Sequence, residues 1–163
     1  MNIIAIDPGH THSAYVLYSL PLQKPYRFAK VANESLLIDV RENSFDADHL
    51  VIEQVACMGM TVGAEVFETV FWSGRFCEGF TGHWSRVKRH EVKTHLCGNQ
   101  RAKDPNIRQA LIDRYGPGKE LAIGTKKAPG PLYGLSGDCW AALSVAVTWA
   151  DKNLAAKPLE LCG

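Results

Sequence analysis

Three carboxylates, Asp7, Glu53 and Asp138, stand where an acid is either costly or purposeful. Asp7 ends the apolar run Ile3-Ile4-Ala5-Ile6 and is followed at once by Pro8-Gly9, while Glu53 interrupts the run Leu50-Val51-Ile52. Short runs rich in branched side chains read as strands buried on both faces. A lone carboxylate on such a strand is costly unless something compensates it, and two of them suggest a shared cation. Asp138 falls in the first turn of a predicted helix, where the macrodipole alone would account for an acid. If the three converge, their hard oxygens suit Mg²⁺ or Mn²⁺ better than zinc. Two such ions about 3.5–4 Å apart activate a water and stabilise the leaving oxygen in phosphodiester cleavage.

The elements that must position these acids follow from periodicity and breakers. After the strand carrying Asp7, Ser13–Tyr18 reads as a returning strand and Tyr26–Val31 as a third, alternating one, with Gln23-Lys24-Pro25 between them as a hairpin loop. Asn33 to Asp48 carries no clear period. His49–Val55 is the strand bearing Glu53. Thr61 to Phe80 is predicted as a helix with Val62, Val66, Phe67, Val70, Phe71 and Phe76 on a core-facing stripe, ended by Gly79 and Gly82. Trp84–Arg89 reads as a basic strand and His90–Leu96 as a short helical turn. A helix follows from Asp104-Pro105, with Asp104 as N-cap, to Gly116. Gly116 to Gly137 reads as a loop, and Ser136 to Ala150 as the last helix, with Leu143, Val147 and Ala150 on its apolar stripe. Strands early and helices late point to a mixed α/β domain.

Composition bounds the rest. The chain has 163 residues, 46% of them hydrophobic and 21% charged, so residues 1–163 are expected to form one domain with a real core. No run of about 18 apolar residues predicts a membrane span, and no basic leader precedes an apolar segment. Cys57, Cys77, Cys97, Cys139 and Cys162 form no CxxC pair and read as free thiols of a reducing compartment rather than as zinc ligands or disulfides. The net charge of +1 is unevenly spread: residues 1–83 carry five Lys/Arg against ten Asp/Glu, and residues 84–127 carry eleven against four. The basic stretch, with Arg86, Lys88, Arg89, Arg101, Lys126 and Lys127, reads either as a polyanion-binding face or as an ordinary solvated surface. His10 and His12 read as exposed loop histidines.

The segments IDPGHTHSAYVL, VIEQV and GDCWAALSVAV resemble, in order and context, those of the bacterial RuvC family of Holliday junction resolvases, within the RNase H-like superfamily. The likeness runs over most of the chain. It implies a five-stranded mixed sheet ordered 3-2-1-4-5, its first three strands antiparallel, flanked by helices. It also implies that Asp7, Glu53 and Asp138 are metal-binding catalytic acids. The stretch EVKTHLCGNQRAKDPNIRQAL is similar to the family segment with two functional lysines, which fall on Lys93 and Lys103 and would stabilise charge at the scissile phosphate. The implied cofactor is Mg²⁺, with Mn²⁺ as a substitute. The implied partners are branched DNA, four-way junctions above all, and a second copy of the chain. The implied location is the cytoplasm of a bacterium or a phage-infected cell, and the compact form suits a phage or mobile-element version.

Two positions depart from the pattern. The family carries a fourth carboxylate or histidine one helical turn after the Asp138 position, where this chain has Ala141; Glu65, Glu68 and His95 are the available substitutes. The family also carries an aromatic wedge just after the IEQV position, where this chain has Ala56 and Cys57. A non-catalytic nucleic-acid-binding module is therefore the competing reading. An actin-like or sugar-kinase-like nucleotide-binding domain, suggested by Asp-Pro-Gly-His-Thr, would need a second lobe and a second glycine-rich motif, and the chain has neither.

Overall fold

The computed structural model describes residues 1–56, 59 and 61–155. Five strands, β1 (Asn2–Asp7), β2 (His12–Ser19), β3 (Lys24–Ala32), β4 (His49–Gln54) and β5 (His83–Lys88), form one sheet in the order β3-β2-β1-β4-β5. β1, β2 and β3 pair antiparallel, and β4 runs parallel to both β1 and β5. This is the order that the resemblance implies. The helices are α1 (Asn33–Arg41), α2 (Ala64–Gly79), α3 (Arg89–Cys97), α4 (Asp104–Tyr115), α5 (Lys119–Ala122) and α6 (Cys139–Ala155).

The sheet is buried on both faces, which is why β1 and β4 lack alternation. Ile3, Ala5, Ala14, Val16, Val51 and Val87 pack with Leu111 of α4 and with the apolar residues of α6. Their neighbours Ile4, Ile6, Tyr15, Leu17, Leu50 and Ile52 pack on the other side with Leu36 and Leu37 of α1 and Trp72 and Phe76 of α2. Because side chains alternate along a strand, Asp7 shares the α6 face with Ile3 and Ala5, and Glu53 shares it with Val51.

Several elements differ from the sequence expectation. α1 fills a segment to which no period could be assigned. The predicted core stripe of α2 is largely on the outside: Phe67 is 67% exposed, Phe71 58% and Val70 51%, and of the stripe Phe76 docks the helix, together with Trp72 and Cys77. Apolar residues surround this helix, so periodicity could not choose the docking face. α6 shows the converse, since Ala142 to Ala150 are all buried and no single stripe exists. Lys103, not Asp104, is the N-cap of α4; the Asn106 side chain accepts the Lys103 N–H at 2.9 Å, and Pro105 sits in the first turn. The stretch expected as a loop from 116 to 137 contains α5 and a turn closed by the Gly124–Pro129 bridge. It packs firmly through Leu132 and Leu135, and Trp140 donates its indole N–H to Leu135 O at 3.1 Å. Cys77 and Cys139 are buried free thiols and Cys97 is half-buried; Cys57 and Cys162 lie outside the described residues.

The turn that follows Asp7 is held by a closed ring of hydrogen bonds. Gly9 N–H donates to Ser13 Oγ at 3.1 Å, Ser13 O–H donates to Asn33 Oδ1 at 2.7 Å, and Asn33 Nδ2 donates back to Gly9 O at 2.9 Å. Asn33 also donates its backbone N–H to Thr11 O. A Cβ on Gly9 would lie 2.2 Å from His12 O, so no larger residue fits this bend. Ser13 and Asn33 are buried, and removing one member leaves the others unpaired away from water. Asn33→Ala should therefore cost about 2–4 kcal/mol in urea unfolding; a loss below about 1 kcal/mol would mean that the ring does not hold the turn.

Candidate metal centre and nucleic-acid interface

β1 and β4 run parallel with Ile6 opposite Ile52, so Asp7 and Glu53 stand one step further along, side by side at the C-terminal ends of adjacent strands. Asp138 arrives from the other layer. It precedes α6 as its cap rather than lying within the first turn, since its carbonyl accepts the Ala142 N–H at 3.1 Å. Burial pushes the Asp7 carboxyl up to about 8, and the charges of Glu53 and Asp138 add to that rise, while Arg89 and Lys30 oppose it. Burial likewise raises Glu53, with Arg89 opposing. The three acids thus share one electrostatic site, even though they lie far apart in the chain.

Two of the acids carry a cation of their own. Arg89, the first residue of α3, places Nη1 3.4 Å from Glu53 Oε2 and ion-pairs through Nη2 with Asp104. Burial works against its charge, but Glu53 and Asp104 outweigh this and hold the guanidinium above its usual range. Lys30 Nζ on β3 lies 2.5 Å from Asp138 Oδ2, and this hydrogen bond raises the lysine. Asp7 makes no side-chain hydrogen bond or ion pair among the described residues.

These contacts revise the sequence assignments. Arg89, expected on the DNA-binding surface, turns inward to Glu53. Lys30 was not anticipated at all, because nothing in an alternating strand signals a partner 108 residues away. Lys93, on α3, is near enough to Glu53 to act on its charge, and Lys103 caps the neighbouring helix α4, one residue before the Asp104 that Arg89 grips. Arg101 is exposed in the turn between α3 and α4. Arg86 is exposed on the edge strand, with Cζ 5.9 Å from the Trp84 ring, beside a cleft of about 290 Å³ that also borders Glu53. Lys88 is exposed, and Lys126 and Lys127 lie at the exposed tip of the Gly124–Pro129 turn. They pair with none of the three acids.

No substitute fills the place left by Ala141. His95 is bound to Asp151 at 2.7 Å, near the far end of α6. Glu65 faces His10 at 3.9 Å, and Glu68 is exposed on α2. The position after Glu53 and Gln54 presents Val55 and Ala56, with Cys57 outside the described residues.

The donor chemistry fits a hard divalent cation. Asp7 is a half-buried acid with no cation directly against it among the described residues, and two further acids raise its proton affinity, so the site is one that a positive ion would relieve. The side chains are nevertheless placed for ion pairing: among the described residues no three of His, Cys, Asp and Glu converge closely enough to hold one ion.

The sheet order and its flanking helices make an RNase H-like fold, and within it the fold is RuvC-like. Over 98% of this chain and all of the other, it superposes on the Thermus thermophilus RuvC structure with a TM-score of 0.65 at 17% identity. It matches T. thermophilus RuvC in complex with Holliday junction substrate over 96% of both chains, with a TM-score of 0.67 at 15% identity. No family model and no curated protein matches the sequence. No helix among the described residues is long and apolar enough to cross a membrane.

The Asp7 shift fixes a pH dependence. Folded Asp7 releases its proton near pH 8, against 3.8 for an ordinary aspartate, so between those values the folded chain binds more protons than the unfolded one and stability falls as pH rises. In EDTA, the Tm of the wild type should drop between pH 6.5 and 8.5, and Asp7→Asn should drop less and be the more stable protein at pH 8.5. Identical slopes for the two would place Asp7 outside the charged centre.

Proposed function

We propose that this protein is a divalent-metal-dependent endonuclease that cleaves branched DNA, four-way junctions in particular. The observation that carries the reading is the placement of Asp7 and Glu53 at the ends of adjacent parallel strands, with Asp138, at the start of α6, near enough for its charge to act on Asp7. Mg²⁺ or Mn²⁺ would be held by these three acids, and when bound it supplies Lewis acidity toward water and phosphate oxygen. Lys93 and Lys103 flank the Glu53 side and would stabilise charge developing on the scissile phosphate. Arg86, Lys88, Arg101, Lys126 and Lys127 would hold the flanking backbone, a contribution that weakens with salt. That T. thermophilus RuvC forms a complex with a Holliday junction substrate on the same fold supports the choice of branched DNA.

The test is incubation of a labelled four-way junction, a fork, a linear duplex and an RNA–DNA hybrid with Mg²⁺ or Mn²⁺. The junction should be cut, and Asp7→Asn should lower the rate by at least about 10³-fold while leaving junction binding within a few-fold of wild type. Binding without cleavage by the wild type in either metal would favour a non-catalytic binding module. Ala141 and the ion-paired acids are the observations that keep that reading open.

A second copy of the chain is the proposed protein partner, because a junction of approximate two-fold symmetry presents two equivalent strands. The exposed Phe67, Val70 and Phe71 face of α2 is the apolar surface available for it. Phe71→Glu should convert a dimer to a monomer in light scattering; a wild type that stays monomeric at tens of micromolar would remove the dimer from the scheme.

A further inference from the structure

We propose that Lys30 and Arg89 are resident counter-ions of the acidic centre, which a divalent cation displaces, so that the two freed side chains turn to the phosphates of bound DNA. This inference rests on the metal-dependent reading above and adds to it a role for two residues of this chain.

Sheet register explains why these two cations are there. Asp7 pairs across to Ala14, and Ala14 pairs across to Lys30, so the three form one row on one face of the sheet. Ala14 is small, and the long Lys30 side chain reaches over it to Asp138. On the other side Glu53 pairs with Val87, and Arg89 opens α3 two residues later and reaches Glu53. Cations therefore reach the acids from both flanks of Asp7.

Charge makes the exchange even. Asp138 and Glu53 already hold one monovalent cation each, Lys30 and Arg89, and so two positive charges stand on these two carboxylates. A divalent ion brings the same two positive charges and competes for the same carboxylate oxygens. Lys30 and Arg89 each occupy a carboxylate oxygen that an ion would also need, so keeping both pairs and binding the ion compete for the same atoms. Lys30 and Asp138 are each about half exposed, at 51% and 50%, so that pair is held loosely. Arg89 is 26% exposed and keeps Asp104 as a second anchor, so its guanidinium can leave Glu53 without becoming unpaired. Both side chains then add positive charge beside the place where a phosphate must sit.

Two measurements, neither of them activity, test this. Calorimetric titration with Mn²⁺ should show Lys30→Gln binding about two- to five-fold more tightly than wild type, the range expected from removing an exposed pair. Junction affinity, measured against salt in EDTA and in Ca²⁺, should give a wild-type slope steeper in Ca²⁺ by about 0.9 for each freed cation. Lys30→Gln should lose about one such increment and Lys30→Arg should regain it. Arg89→Gln should behave alike if its EDTA melting curve shows it folded; Lys30, being exposed, provides the test if it does not. Equal Mn²⁺ affinity and an unchanged slope increment in Lys30→Gln would overturn the exchange while leaving the metal centre intact. No Mn²⁺ binding by the wild type would overturn both.

Discussion

A carboxylate at the end of a strand buried on both faces is the constraint around which this molecule is arranged. Asp7 cannot be fully solvated, because the sheet, α6 and the turn at Gly9 enclose it, and it cannot be neutralised locally, because its neighbours in sequence are apolar. Its compensation must come from elsewhere in the chain. The parallel pairing of β1 with β4 sets a second acid at the same level, and α6 delivers a third at its cap. Each addition raises the local demand for positive charge. Active groups gather at the C-terminal ends of parallel strands for this geometric reason: strand ends converge there while the intervening chain leaves to cross over.

The hydrogen-bonded ring of Gly9, Ser13 and Asn33 is the mechanical counterpart of that electrostatic demand. It joins the turn after β1, the start of β2 and the first residue of α1, three points that would otherwise move independently. A charged group is useful only if it stays where its partners are, and the ring fixes the backbone two residues beyond Asp7. The polar atoms of the ring satisfy one another away from water, so this rigidity carries no unpaired buried group.

Local sequence revealed the strands well, because β1 and β4 combine a short apolar run, an acid and a following break in a way that few other structures explain. It revealed helix packing poorly. In α2, Phe67, Val70 and Phe71 compete with Trp72 and Phe76 for the core, and only the position of β4 and α1 decides between them. In α6, Ser144 and Thr148 are buried along with the apolar residues, so polarity could not mark an outer face. The site followed the same division. Asp7 and Glu53 were visible because they break apolar runs, and Asp138, an ordinary acid at a helix start, stood out only through the family resemblance, whereas Lys30 breaks nothing in an alternating strand and Arg89 sits among basic residues that resemble a surface. Ion pairs that span 36 and 108 residues are products of the fold and leave no local trace.

The absence of an acid at Ala141 acquires a physical consequence in this setting. Ala141 lies in the first turn of α6, half-buried, three residues beyond Asp138, and among the described residues His95 and Glu65 are engaged elsewhere and do not replace the missing donor. The centre therefore has three carboxyl groups rather than four, and two of them already have cations. Among the described residues Asp7 has none, and burial together with the charges of Glu53 and Asp138 raises its proton affinity. On the metal-dependent reading proposed above, an incoming cation would meet its least-contested ligand at Asp7 and would compete for Glu53 and Asp138. A fourth acid would have strengthened ion binding and also raised the charge that the folded, ion-free protein must bear. With alanine there, Asp138 and Glu53 are each paired in the ion-free protein, and on the proposed reading the affinity for a divalent ion would follow how readily Lys30 and Arg89 let go.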